Sequence, residues 1–294
     1  MPEHAEVKIT SEFANTIASD RIYKRIEKSP VSKVKTDLSI PFNEFQIQVI
    51  SRGKELKVIF LDVNSNDRKE MLIGLGMSGT FVNIRTNAKP ETREKFLKHS
   101  HLRFIDENED MLCFHDVRRF GKWKWIENGK WSSNRGYDPV TEYEDFKKTL
   151  MNLYQEQNKK FNHPISEFLM DQKYWNGIGN YLRAEMIYRV PGLNPWKNFN
   201  DLCEAELIGI IEQAKECPLQ AYALQGGEFK DWNNPFGNES GEYKENIHTW
   251  KKVYSGKNIS WISDKTGRRF WFDPKWNGQV PERYLEKKHS LCDL

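Results

Sequence analysis

Cysteine is scarce in this chain of 294 residues: Cys113, Cys203, Cys217 and Cys292 are all it has, and no two form a Cys-x-x-Cys pair. That spacing argues against a zinc ribbon or finger and against a disulfide scaffold. The 7 His form no recognisable ligand constellation either. No apolar run is long enough to span a membrane. A basic leader is missing too, because Glu3 and Glu6 stand where a secretory signal needs positive charge. Neither sign of charge dominates: 45 Lys and Arg against 42 Asp and Glu give +3. Such a total leaves nucleic-acid binding open, since clustering matters more than the sum. Internal repeats and low-complexity tracts are absent. The expectation is a soluble protein of a reducing, intracellular compartment.

What the chain does have is aromatic side chains, 13% of residues including 10 Trp. Its mean hydropathy is −0.78, polar but foldable, and its length allows two domains with real cores. Val7, Ile9, Phe13 and Ile17 fall near helical spacing and predict a first helix ending near Ala18. Alternating Phe45, Ile47 and Val49 predict a strand, as does the β-rich run Leu56–Leu61. Further strands are expected at Met71–Leu75, Phe81–Ile84, Leu102–Ile105, Met111–His115 and Trp123–Ile126. Many short strands behind one helix suggest a β-sandwich or barrel. Asn128–Pro139 reads as loop and linker.

The period then changes. Thr141 and Glu144 have capping-box form ahead of Phe146, Leu150 and Leu153. Pro164 precedes a short helix with Ile165, Phe168 and Leu169. Another helix opens after Gly177-Ile178-Gly179, and Asp201–Cys217 is a further one. Near the end, Ile259–Ile262 and Arg268–Phe272 flank the glycine-containing turn of a hairpin.

Six stretches could carry chemistry. Met1-Pro2-Glu3 is either an ordinary start or, once Met1 is removed, a free secondary amine beside a carboxyl group. An α-amine titrates near about 8, and an unprotonated one attacks aldehyde-level carbon to give an iminium ion. Ser51-Arg52-Gly53-Lys54 is a basic hairpin turn or a phosphate contact through Lys54. Gly74-Leu75-Gly76-Met77-Ser78-Gly79 is a tight turn, or a tip whose Met77 is an apolar wedge for a base stack. In Asp116–Trp125 cations interleave with aromatics, so Arg118 and Phe120 can fill a gap in a duplex. Gly177-Ile178-Gly179-Asn180 exposes N–H groups at a helix start, a natural phosphate site, or else is a packed corner. Arg268 past the hairpin tip can present its fork to a phosphate.

Together these stretches resemble the formamidopyrimidine-DNA glycosylase and endonuclease VIII family, in the family's order from Pro2 to about Trp276. The resemblance implies an α+β multidomain fold. A helix and β-sandwich would occupy 1–135, a helix–two-turn–helix domain 136–257, and a hairpin with the tail 258–294. That hairpin has the Gly-Arg-x-x-Trp-Phe form without cysteines, like the "zincless finger" of endonuclease VIII-like proteins. Two departures stand out: His4-Ala5 follows Pro2-Glu3, and Gly74 stands where many members have His.

The resemblance also implies roles. Pro2 would be the nucleophile and Glu3 its proton-transfer partner, with Lys54 as general acid or phosphate contact. Asn180 and Arg268 would join Lys54 on the phosphates, and Met77, Arg118 and Phe120 would fill the void of a flipped base. Glu6 and Glu185 would be accessory acids, and Asn238–Lys244 the lesion-recognition loop. The implied function is a monomeric, cofactor-free and metal-free bifunctional glycosylase and abasic-site lyase. Its substrate would be double-stranded DNA, with single-stranded DNA as a further form, carrying oxidised pyrimidines, formamidopyrimidines or abasic sites. An 8-oxoguanine preference and a non-catalytic damage-binding protein are the alternatives. The expected location is a DNA-containing compartment: nucleus, nucleoid or viral replication site.

Overall fold

A computed structural model describes the chain apart from residues 31, 228–231, 238–246, 257–258, 278–279 and 283–294. The chain divides into two compact units, Met1–Ser132 with Gln225–Gly241, and Ser133–Leu224 with Glu242–Leu294.

The first unit opens with helix α1 (His4–Ala18). Strands β1 (Tyr23–Lys28), β2 (Phe45–Arg52), β3 (Glu55–Asp62), β4 (Arg68–Gly74) and β5 (Thr80–Ile84) follow. Helix α2 (Pro90–Leu97) then precedes β6 (Ser100–Asp106), β7 (Met111–His115) and β8 (Lys122–Ile126). The eight strands form one antiparallel sheet in the order β5-β7-β6-β1-β2-β3-β4-β8. Its two halves meet through a single residue pair, Tyr23 with Phe45, whereas β2 and β3 pair along their whole length. Phe60 of β3 packs edge-on to Phe104 of β6 at 5.6 Å, and Phe114 of β7 to Trp123 of β8 at 6.2 Å. Strands distant in the sheet order therefore share one core, and the sheet doubles over as a β-sandwich. α1 is pinned to it by Asn15, whose amide donates to the Val49 carbonyl and accepts its N–H, both at 2.7 Å.

In this unit all the expected strands form, and among its described residues two elements appear that the sequence did not announce. β1 carries four charged residues in six (Tyr-Lys-Arg-Ile-Glu-Lys) and shows no clean alternation. α2 buries no residue, so it has no apolar stripe to read.

The second unit contains α3 (Tyr143–Gln155), α4 (Ile165–Phe168), α5 (Asn180–Arg189) and α6 (Glu204–Ala223). α3 starts after Glu142, and the expected Thr141–Glu144 box does not cap it. The carboxylate of Asp138 instead takes the N–H groups of Val140 and Thr141. Strands β9 (Ser260–Ser263) and β10 (Arg269–Phe272) pair in register as the expected hairpin, Trp261 opposite Trp271, and no cysteine lies between Ser260 and Phe272.

Candidate active site

Pro2 is buried at the head of α1, where the positive end of the helix favours nearby carboxylates. Glu3 and Glu6 are both buried there. Glu6 Oε2 accepts the Glu3 N–H at 2.7 Å, and its Oε1 accepts the N–H of Gly227, also at 2.7 Å. Glu6 thus joins the N-terminal residues to the segment that begins at Gln225. Gly226 lies against it, with a Cβ there only 3.0 Å from Glu6 Oε1. Phe236, further along that segment, packs edge-on to Phe13 of α1 at 5.3 Å. The residues expected to form the lesion-recognition loop, Asn238–Lys244, lie outside the described residues.

Lys54 occupies the two-residue loop between β2 and β3, half-buried at the tip. Gly53 at φ 57° supplies the left-handed conformation that such a loop needs. Because α1 is anchored on Val49 of β2, helix head and lysine turn belong to one framework.

Met77 and the Arg118–Phe120 pair sit on two loops that touch. The β4–β5 loop is tightened by the Gly79 N–H donating to the Leu75 carbonyl at 2.9 Å. Gly76, at φ 64°, lies so near the other loop that a Cβ would come within 2.7 Å of the Phe120 carbonyl carbon. Phe120 is 53% exposed, and the Arg118 guanidinium lies 5.2 Å from its ring centre. An exposed apolar ring with a cation beside it suits a wedge for stacked bases. Met77 is half-buried, neither fully tucked into the core nor free of it. A cavity of about 890 Å³ opens beside Ser78 and Val117, with α2 and Asn233–Pro235 as further walls. Pro2 and Glu3 do not line it.

In the second unit, Asn180 begins α5. Its amide Nδ2 donates to the Arg269 carbonyl at 2.8 Å, and its Oδ1 accepts from Arg183. The amide expected on a phosphate therefore holds the hairpin here. Arg183 is fully buried. It donates to the Ser166 carbonyl and to Asp264 Oδ2, each at 3.0 Å, and lies 4.9 Å over the Phe270 ring. Asp264 in turn shapes the tip by accepting the N–H groups of Thr266 and Arg268. Burial pushes its carboxyl group up, but the Thr266 hydroxyl and the Arg183 guanidinium more than offset this and hold it below the usual range. Arg268 projects from that tip, exposed. Glu185 is fully buried; it accepts the N–H groups of Lys252, Val253 and Tyr254 at 2.9–3.0 Å and pairs with Arg189. Its geometry is that of an anchor for the following segment.

Pro2, Glu3, Glu6, Lys54, Met77, Arg118 and Phe120 all lie in the first unit, and Asn180, Glu185 and Arg268 in the second. Sequence reasoning gave no role to Ser78, Asp116 or Arg183. The one available signal for Arg183 is a charge amid the apolar residues of α5.

Comparison with known proteins adds three findings. Residues 1–123 match the profile of the formamidopyrimidine-DNA glycosylase N-terminal domain. The human protein endonuclease 8-like 1 is 31% identical over 99% of this chain and 77% of its own length. Among solved structures, the MutM (Fpg) protein of Thermus thermophilus superposes with a TM-score of 0.73 at 22% identity, covering 95% of this chain and 100% of that one. The Lactococcus lactis Fpg in complex with DNA containing an oxidized pyrimidine gives the same TM-score, identity and coverage. With a relative of that identity matched along nearly the whole of this chain, the protein belongs to the formamidopyrimidine-DNA glycosylase and endonuclease VIII family of DNA repair glycosylases.

Proposed function

We propose that the protein is a bifunctional glycosylase and abasic-site lyase of base excision repair, acting on oxidised pyrimidines and formamidopyrimidines through Pro2. The observation that carries this reading is the placement of Pro2 and Glu3, buried together at the head of α1 with Glu6 fixing the Glu3 backbone. Met1 precedes Pro2 in the sequence, so its removal is required to turn an amide into a nucleophilic secondary amine.

The steps follow from that amine. DNA bends and the damaged nucleotide leaves the stack, at a cost of about a few kcal/mol that is least for a damaged base. The Pro2 nitrogen bonds to C1′, and the C1′–base bond breaks with its electron pair leaving on the base. Glu3 moves the proton that the opening ring oxygen requires. The resulting iminium is an electron sink, so C2′ loses a proton and the C3′–O bond breaks; a second elimination breaks C5′–O. Lys54 and Arg268 hold phosphates, Asn180 joins them through the amide N–H that the Arg269 carbonyl does not take, and Met77, Arg118 and Phe120 occupy the vacated space. The cysteine-free hairpin supports the preference for oxidised pyrimidines.

Borohydride trapping tests the reading. Processed protein with Pro2 exposed is expected to form a covalent adduct with abasic-site DNA, and Pro2→Gly or an N-terminal tag to abolish strand cleavage. Near-normal cleavage without the proline amine overturns it. A panel of lesion-bearing oligonucleotides with product-end analysis then fixes the preferred base.

A further inference from the structure

Met77 reaches the molecular surface from the β4–β5 loop and Arg118 with Phe120 from the β7–β8 loop, about forty residues later in the chain. One carboxylate connects them. Asp116 is 1% exposed, and its carboxylate accepts from both loops. Oδ1 accepts the Ser78 hydroxyl and the Arg118 N–H at 3.2 Å. Oδ2 accepts the Gly121 N–H at 2.6 Å. The Ser78 oxygen itself accepts the Arg118 N–H at 3.0 Å, closing a ring of bonds across the two loops. Asp116 is fixed from behind as well. Its N–H donates to the His99 carbonyl at 2.9 Å, and its carbonyl accepts His101 Nε2 at 3.0 Å.

Packing points the same way. A Cβ on Gly121 would meet the Phe114 ring at 2.5 Å, and one on Gly76 the backbone of Phe120 and Gly121 at 2.7 and 2.8 Å. Bare backbone is thus required on both sides of the contact. A buried carboxylate is expensive unless every oxygen is satisfied, and here donors from two separate loops provide that satisfaction. Neither loop can shift without leaving the charge short of a partner.

We propose that Asp116 is a positioning residue that locks the two loops into one wedge, so that Met77, Arg118 and Phe120 enter the vacated space as a unit. This rests on the reading of the protein as a glycosylase that flips its base. Only a carboxylate accepts on both sides: an amide turned one way sets its N–H₂ against the Gly121 N–H, and turned the other way against the Ser78 O–H and Arg118 N–H. Residues that act as a unit give non-additive mutant effects, so coupling between the loops is the property to measure.

The variant is Asp116→Asn, close in shape and therefore gentle on the fold, with Ser78→Ala as a second cut of the same link. Single-turnover excision of an oxidised pyrimidine from duplex DNA is expected to slow at least tenfold in Asp116→Asn and several-fold in Ser78→Ala. Borohydride trapping on a single-stranded abasic oligonucleotide, which has no stack to fill, is expected to change less than twofold. Met77→Ala and Phe120→Ala should combine to less than the product of their separate effects in the parent protein, and to the full product in the Asp116→Asn background. Unchanged duplex excision, unchanged coupling, or equal loss on both substrates overturns the assignment. Failure of the parent protein itself to trap abasic DNA is a different result: it removes the glycosylase reading, and this inference with it.

Discussion

At the scale of single residues, two glycines beside the wedge loops, Gly74 and Gly121, stand in opposite surroundings. Gly74 ends β4 with nothing within 4 Å of a Cβ built on it, whereas Gly121 has the Phe114 ring at 2.5 Å. Gly74→Ala is therefore expected to stabilise by about 0.4–1 kcal/mol, since alanine narrows the unfolded ensemble at no steric cost. Gly121→Ala is expected to destabilise by about 1–3 kcal/mol through overpacking. Denaturant midpoints check both; equal shifts for the two variants would contradict the difference in space. The open volume at Gly74 also bears on the family resemblance, because a larger side chain fits there without displacing a neighbour. Motif residues such as Pro2, Lys54, Met77 and Phe120 were legible in the sequence because their spacing follows a family pattern. Their supports were not. Ser78, Asp116 and Arg183 matter through long-range hydrogen bonds, 38 residues apart for Ser78 with Asp116 and 81 for Arg183 with Asp264, and no local pattern records such distances.

At the scale of elements, legibility followed the hydrophobic pattern. Strands with apolar alternation or long apolar runs were readable, while charged β1 was not, nor was α2, which buries no residue fully and only half-buries Phe96 and Leu97 at its end. α6 shows the limit of proline as a stop signal: expected to end at Cys217, the helix runs through Pro218 to Ala223. Ala214, Cys217 and Ala221 are buried on either side of the proline, and apolar burial there outweighs the missing N–H bond. The hairpin was readable from its turn, but what seats it was not. Arg183 and Asp264 form a buried pair at 3.0 Å, and removing one partner of such a pair costs about 3–5 kcal/mol because a charge is left buried alone. Asp264→Ala is expected to cost that much and to loosen β9 and β10, read by a lower urea midpoint and altered fluorescence of Trp261 and Trp271. A midpoint equal to that of the parent protein would show that Asp264 adds nothing to the seating of the hairpin.

At the scale of the whole molecule, the first unit gathers chain from both sides of Ser133–Leu224. Gln225–Gly241 belongs with Met1–Ser132, and no shift of composition marks where the chain returns. The unit also carries a histidine cluster beside the wedge loops. His99 and His115 stack edge to face at 5.7 Å, and His115 meets Phe96 at 5.8 Å. Burial is the main cause that lowers the pKa of all three histidines, His99, His101 and His115, and His115 falls to about 4. Asp116 opposes the shift in each case, while Lys98 and Arg119 add to it at His99. An unfolded histidine takes up its proton near about 6.5, whereas folded His115 does so only at about 4. Between those values the unfolded state binds more protons, so stability falls as the pH drops through that window and is fully present above it. The melting temperature is expected to decrease from pH 7.5 to pH 5, and His115→Gln to remove a measurable part of that decrease. An NMR titration of the His115 ring with a midpoint near 6.5, or an identical decrease in His115→Gln, would contradict the burial argument.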